Sequence, residues 1–178
     1  MVETINVSGF TKKEQYESLI PQIKALIEGE SDCMANLSNI LAALKYSMNF
    51  FWVGIYFVKN KTGINSSSIE TDAIAMGKEL VLGPFQGPVA CTRISYSKGV
   101  CGKCWEQKST IIVDNVNLFP GHIACSSSSK SEIVLPGLNK YGDVIFVLDI
   151  DSENFSGFDR IDKVFLEKVV EIIMNIID

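Results

Sequence analysis

The chain has 178 residues, of which 47% are hydrophobic and 21% are charged, and its formal net charge is −5. This size and composition predict one globular domain, spanning residues 1–178, with a sizeable apolar core. The acidic balance argues against binding to nucleic acid or to an anionic membrane surface. No apolar run is long enough to span a bilayer and no signal peptide is recognisable, so we expect a cytoplasmic protein.

The first predicted element is a helix over about residues 11–30. Thr11 can cap its N-terminus, and Glu14, three residues later, completes a capping box. Pro21 interrupts the helical pattern, which predicts a kink or two short helices.

Two further helices are predicted, one near the start of the chain and one at its end. The former covers about residues 33–48, with Ser31 as its cap and Cys33 in the core. Its apolar face consists of Met34, Leu37, Ile40, Leu41 and Leu44. The latter covers about residues 159–177 and has apolar residues at helical spacing.

The middle of the chain is typical of a sheet. An aromatic and β-branched run at 50–59 predicts the first strand. Later strands are predicted at about 79–83, 110–114, 132–138 and 143–150, and the polar stretch 60–76 is predicted to be a loop. Hairpin connections such as 139–143 indicate an antiparallel sheet, and the helices at both chain ends can cover one face of it. The predicted fold class is therefore α+β, with a short helix at about 100–107 enclosing a pocket on the other face.

The cysteines and the single histidine are clustered. Four of the five cysteines lie in one window of the sequence, and His122 precedes the last of them by three residues. These cysteines are Cys91, Cys101, Cys104 and Cys125. In a reducing compartment, clustered thiols are more often catalytic or metal-binding than structural. Thiol redox chemistry, a metal site and core filling are the three explanations to weigh.

A metal site is the first alternative. Cys101 and Cys104, together with His122 and Cys125, form two pairs at a spacing found in zinc sites. Strand-like sequence separates the two pairs, and Cys91 is left unexplained. We therefore expect neither a metal nor another cofactor.

Thiol redox chemistry requires a thiolate. Cys101 lies at a glycine-flanked turn that opens the short helix, and a helix N-terminus lowers the pKa of a thiol. An imidazolium at His122 can do the same for Cys125. Alternatively, His122 is a turn residue that comes after Pro120 and Gly121 and is hydrogen-bonded to the backbone.

Three carboxylates are candidates for the same pocket. Asp149 and Asp151 are two residues apart at the end of an apolar strand, so both are expected on one face of the sheet. Glu132 opens the preceding strand. Such a group can hold a proton for an acid step or bind a cation.

Several motifs together resemble the free methionine-R-sulfoxide reductases, which are small enzymes built on the GAF fold. The motifs are L-G-P-F-Q-G-P-V-A-C-T-R-I at 82–94, K-G-V-C-G at 98–102, F-P-G-H-I-A-C at 119–125, S-E-I-V-L-P at 131–136 and V-L-D-I-D-S at 147–152. The resemblance implies a six-stranded antiparallel sheet with helices on one side. It also implies reduction of free L-methionine-(R)-sulfoxide, with thioredoxin restoring the enzyme.

The resemblance also assigns residues. The family's cysteines fall on Cys91, Cys101 and Cys125, and its pocket acids fall on Glu132, Asp149 and Asp151. Trp52 and Tyr56 match its aromatic wall. The family analogy indicates a homodimer.

The roles of the thiols remain open at this stage. We expect Cys125 to attack the sulfoxide and Cys91 to resolve the product, with Cys101 as a rival for the attacking role. Cys104 stands where the family usually has a small residue, and it is either a packing substitution or another resolving thiol. Ser126 stands where an acid is common. The competing function is a GAF-type ligand-binding or regulatory domain without turnover.

Overall fold

The computed structural model describes residues 4–61, 77–122 and 126–177. Six strands form one antiparallel sheet in the order β3-β2-β1-β6-β5-β4. The strands are β1 (Trp52–Asn60), β2 (Lys78–Gln86), β3 (Arg93–Ser95), β4 (Ile111–Val113), β5 (Ser131–Leu138) and β6 (Val144–Ser152). The helices are α1 (Lys12–Leu26), α2 (Cys33–Met48), α3 (Gly99–Gln107) and α4 (Arg160–Ile177), and a 3₁₀ turn covers Val116–Leu118. The predicted α+β class is confirmed.

Helices α1, α2 and α4 pack together on one face of the sheet. The largest fully buried side chains on this face come from both layers, and they include Tyr16, Leu37, Leu41, Ile55, Ile133 and Phe146. Tyr16 of α1 also donates a 2.8 Å hydrogen bond to the buried carboxylate of Asp162 in α4. This apolar layer supplies the main core and ties the two ends of the chain together.

Helix α3 covers the opposite face, as the sequence predicted. A second core forms there from Val100 and Trp105 of α3 together with Tyr56, Val134 and Val147 of the central strands. The sheet is thus buried on both faces, and the pocket described below lies on the α3 side.

The start of the chain differs from the prediction in three details. Helix α1 has the predicted capping box but runs unbroken through Pro21, which is exposed, so that water can replace the lost backbone hydrogen bond. Helix α2 is capped by Asp32, whose carboxylate accepts from the backbone of Ala35, and not by Ser31. Met34 is 48% exposed and does not belong to the buried face of α2.

The sheet also differs from the prediction. Strand β3 was not predicted, because three residues are too few to show alternation. Strand β2 continues beyond the predicted end through an irregularity in its pairing with β1, between Gly54 and Tyr56. The predicted loop at 60–76 lies outside the described residues from 62 onward. No helix among the described residues is long and apolar enough to cross a membrane.

Candidate active site

The strand register brings the three predicted acids to one face of the sheet. Asp151 of β6 is paired with Trp52 of β1 on one side and with Glu132 of β5 on the other. Asp149 lies two residues before Asp151, and both line the same pocket with Glu132 and Tyr56. The predicted shared face is confirmed, and the acids lie beside the aromatic side chains of β1.

Helix α3 places Cys101 over these acids. Its first turn comes close to the end of β3, because Gly102 has no side chain: a Cβ at that position would lie 2.6 Å from the carbonyl oxygen of Ser95. Cys101 is 3% exposed, and its Sγ donates to Oε1 of Glu132 at 3.9 Å. A thiol and two buried carboxyl groups therefore meet at the base of the pocket.

The acids are shifted toward their protonated forms. Burial raises the pKa of Glu132 and of Asp149 well above the usual range, and in each case a neighbouring carboxylate raises it further. Burial also raises the pKa of Asp151, to about 6, although a hydrogen bond from Ser129 lowers it in part. Burial and the neighbouring charges thus favour the neutral, protonated form of Glu132 and Asp149.

The same surroundings raise the pKa of the Cys101 thiol. Burial is the largest cause, followed by the charges of Asp149 and Glu132. Cys101 does occupy the first turn of α3, as predicted, yet the prediction of a lowered pKa is wrong. The helix terminus is outweighed by burial of the thiol and by two carboxyl groups that come from strands β5 and β6.

The aromatic wall is held by two glycines. A Cβ on Gly54 would lie 2.1 Å from the Trp52 ring, and one on Gly87 would lie 2.6 Å from it. The Trp52 indole donates from Nε1 to the carbonyl of Pro88 at 3.0 Å and stacks on Phe85 with 5.6 Å between ring centroids. Trp52 is therefore a fixed wall and not a mobile side chain.

Loops close the remaining side of the pocket. Ala90, His122 and Ser126 line it. Cys91 is disulfide-bonded. Cys125 lies outside the described residues, as do the two residues before it. The pocket contains about 530 Å³ of empty space, counting its open mouth.

His122 has features of both interpretations raised by the sequence. Its backbone N–H donates to the carbonyl of Phe119 at 3.1 Å, as expected of a turn residue. Its side chain nevertheless lines the pocket, and burial lowers its pKa. The neutral imidazole is therefore favoured over the imidazolium that was predicted to assist Cys125.

Cys104 lies away from the pocket. It is fully buried, and its Sγ donates to the carbonyl oxygen of Val134 at 3.5 Å. Among the described residues, the metal-ligating atoms that cluster belong to Cys101, Glu132 and Asp149, without Cys104 or His122. Cys101, Cys104 and His122 thus do not form a common ligand group within the part of the chain that the structure describes, which does not include Cys125, and Cys104 fills the core.

Three positions that shape the pocket were missed in the sequence. Gly54 and Gly87 hold the aromatic wall, and Ser129 is hydrogen-bonded to Asp151. Gly54 did leave a signal, because a glycine between two aromatic residues in a strand marks a close approach of other atoms. Ser129 ends a run of four serines, in which nothing distinguishes one from the next.

Known proteins resemble the chain over nearly its whole length, although no protein-family model matches it. It is 50% identical to GAF domain-containing protein A of Dictyostelium discoideum, with 98% of this chain and 100% of that one covered. It is 38% identical to the free methionine-R-sulfoxide reductase of Saccharomyces cerevisiae, with coverages of 93% and 87%. The structure of the free methionine-R-sulfoxide reductase from Neisseria meningitidis in complex with its substrate superposes with a TM-score of 0.83, at 40% identity and with coverages of 98% and 95%.

Proposed function

Because the chain belongs to the family of the free methionine-R-sulfoxide reductases, we propose that it reduces free L-methionine-(R)-sulfoxide to L-methionine. One observation carries the proposal: buried acids whose pKa is raised face a fixed aromatic wall inside one pocket. That arrangement suits a polar sulfoxide oxygen next to an apolar methylthio group.

The acids supply the first step. A sulfoxide sulfur becomes electrophilic when its oxygen is protonated, and Glu132 or Asp149 holds the proton that this requires. A thiolate then attacks the sulfur, and the S–O bond of the substrate breaks as the oxygen passes to the cysteine sulfur, which leaves a sulfenic acid on the enzyme and releases methionine as the reduced thioether. A second thiol condenses with the sulfenic acid, releasing water and forming a disulfide. Thioredoxin returns two electrons by thiol exchange.

Cys125 is our candidate for the attacking thiol, and Cys91 is our candidate for the resolving thiol. The raised pKa of Cys101 disfavours a thiolate there, which weakens its claim to attack. His122 lines the pocket, and its lowered pKa lets a neutral imidazole accept the thiol proton. Cys91 already takes part in a disulfide and follows Ala90, which lines the pocket.

Substrate recognition follows from charge. The free amino acid is a zwitterion, and Asp151, with a pKa of about 6, is ionised at neutral pH and can bind its ammonium group. The first turn of α3 has no side-chain cap, and Lys98 and Gly99 line the pocket, so backbone N–H groups there can bind the carboxylate. A peptide-bound methionine lacks both charges and is expected to be excluded.

Turnover with three substrates tests the function. NADPH consumption is followed with thioredoxin and thioredoxin reductase, using free methionine-R-sulfoxide, the S epimer, and a peptide containing the R-sulfoxide. We expect turnover with the free R epimer alone. Absence of turnover with all three would contradict the proposal and favour a GAF-type binding domain.

Single-turnover mass spectrometry separates the thiols. Cys125→Ser is expected to form no methionine, whereas Cys91→Ser forms one methionine per chain and retains the sulfenic acid. Cys33→Ser is the matched control, because Cys33 lies on α2, away from the pocket, and should behave as wild type. A Cys125→Ser protein that still forms one methionine would transfer the attacking role to Cys101.

Two partner assignments complete the proposal. Thioredoxin as reductant agrees with the cytoplasmic location expected from the sequence, since both require a reducing compartment. A homodimer follows from the family analogy, and sedimentation equilibrium at several protein concentrations tests it directly.

A further inference from the structure

At the base of the pocket, three potential metal ligands lie together. One ligand atom each from Cys101, Glu132 and Asp149 falls within 4.8 Å of the other two, and all three residues are buried. They come from three separate elements, α3, β5 and β6, so the fold itself brings them together. A thiol and two carboxyl groups therefore converge on one point at the base of the pocket.

One oxygen of the Asp149 carboxyl group is buried without a hydrogen-bond partner among the described residues. This oxygen is Oδ1, and the residue as a whole is 7% exposed. A buried carboxyl oxygen without a partner costs free energy, and a bound ligand would remove that cost. The orphaned atom belongs to one of the three residues of the cluster, whose carboxyl group is also hydrogen-bonded to Cys101 and Glu132.

We propose that Cys101, Glu132 and Asp149 form a binding site for a borderline divalent cation, with zinc as the reference ion. The inference does not depend on the proposed reductase activity. One thiolate with two carboxylates is a ligand set that zinc accepts, and three protein ligands leave its fourth position open to the pocket.

The distance between the Cys101 and Glu132 ligand atoms is close to the one that this ion requires. Tetrahedral zinc, with the usual zinc–sulfur and zinc–oxygen bond lengths, separates a thiolate from a carboxylate oxygen by about 3.5 Å. The Cys101 Sγ and Glu132 Oε1 atoms are 3.9 Å apart, so a small inward movement of either side chain is sufficient. A hard cation such as magnesium would not favour the thiolate, which makes the site selective for softer ions.

Charge explains why the site would bind a dication well. Ionising all three groups without a counter-ion is costly, because they are buried and close together. A divalent cation offsets most of that charge, so binding should release protons from the cluster. The bound ion would lie in front of the acids at the base of the pocket, with its open coordination position toward the remaining space.

Metal titrations of the folded protein test the proposal. Zinc binding is measured by calorimetry without reductant, so that Cys91 stays in its disulfide, and the thiolate ligand is detected by the charge-transfer absorption of cobalt(II). We expect one ion per chain and a cobalt–thiolate band. Cys101→Ser should abolish the band, and Asp149→Asn should weaken zinc binding by about tenfold or more.

Two controls separate this site from others. Cys104→Ser removes a thiol one helical turn away and should bind zinc as wild type does. A Cys91→Ser/Cys125→Ser double variant should also retain the site. Circular dichroism confirms that each variant is folded. Any of three results would overturn the proposal. The wild-type protein could show no cobalt–thiolate band, Cys101→Ser could bind zinc with unchanged affinity, or the double variant could lose zinc binding.

Discussion

On strand β6, Leu148 and Ile150 face the helices and are fully buried, whereas Asp149 and Asp151 face the pocket. Alternate residues of one strand therefore meet two different environments. The helical face contains interlocking apolar side chains, while the pocket face holds carboxyl groups whose ionised forms are disfavoured. The comparison indicates that stability depends mainly on the first face and chemistry on the second.

The carboxyl groups of the two regions shift in opposite directions. On the helical side, backbone hydrogen bonds at Thr11 lower the pKa of Glu14. In the pocket, burial raises the pKa of Glu132 and Asp149. The fold therefore favours the ionised form of a carboxyl group at the helix cap and the neutral form of the acids in the pocket.

The largest expected effect is on the pocket face. Asp149→Asn keeps the shape of the side chain but cannot donate a proton as a carboxylic acid does. We expect kcat/KM to fall by about 10²–10⁴-fold, while the free energy of unfolding changes by less than about 1 kcal/mol. Steady-state kinetics and urea denaturation measure both quantities. Asp143→Asn, in the exposed β5–β6 loop, is the control, and full activity in Asp149→Asn would remove this acid from the mechanism.

The neighbouring residue should give the opposite result. Leu148→Ala leaves a cavity in the fully buried helical face, and we expect a loss of about 2–5 kcal/mol in unfolding free energy. Activity per folded molecule should stay near that of wild type at a temperature well below the melting transition. A large loss of activity in folded Leu148→Ala protein would show that the two faces are not independent.

Two glycine substitutions sharpen the comparison. Gly54→Ala would press on Trp52, while Gly137→Ala would bring a Cβ within 2.2 Å of the Phe146 ring on the helical face. Each is expected to destabilise the fold by about 1–3 kcal/mol. Only Gly54→Ala should raise KM several-fold, because only that glycine positions the pocket wall. Equal KM values in both variants would argue against a positioning role for Gly54.

The smallest effect concerns Glu14. Its pKa is lowered from 4.5 in the folded chain, so its stabilising contribution is present above the unfolded pKa and is lost as the pH falls through the folded pKa. Glu14→Gln should therefore be slightly less stable than wild type at neutral pH, and the difference should shrink below pH 4.5. Thermal melts across this range measure it, and a constant difference at every pH would contradict the assignment.

Patterns in the sequence predicted those structural features that depend on residues close together along the chain. Thr11 and Glu14 form the expected cap, and the spacing of Asp149 and Asp151 placed both on one face. The pKa of Cys101 could not be predicted in this way, because the direction of its shift is set by burial and by acids on strands β5 and β6. Helix position is a local property, whereas desolvation is a property of the assembled fold.

The missed glycines show the same limit. Gly87 supports the aromatic wall only because the chain after β2 returns alongside Trp52, and no pattern within that segment reveals the contact. The family resemblance, by contrast, combined several separated motifs and identified the acids and aromatic residues that the structure brings into one pocket.

The hydrogen bond from the Trp52 indole to Pro88 has an optical consequence. Indole emission responds to the hydrogen bonding and polarity around the ring, and Pro88 is three residues from Cys91. Displacement of this segment when the Cys91 disulfide opens would change the fluorescence of Trp52. Trp105, the other tryptophan, packs edge-on against Tyr96 and can be replaced by phenylalanine. A Trp105→Phe protein would then report its own oxidation state in stopped-flow experiments without an attached dye.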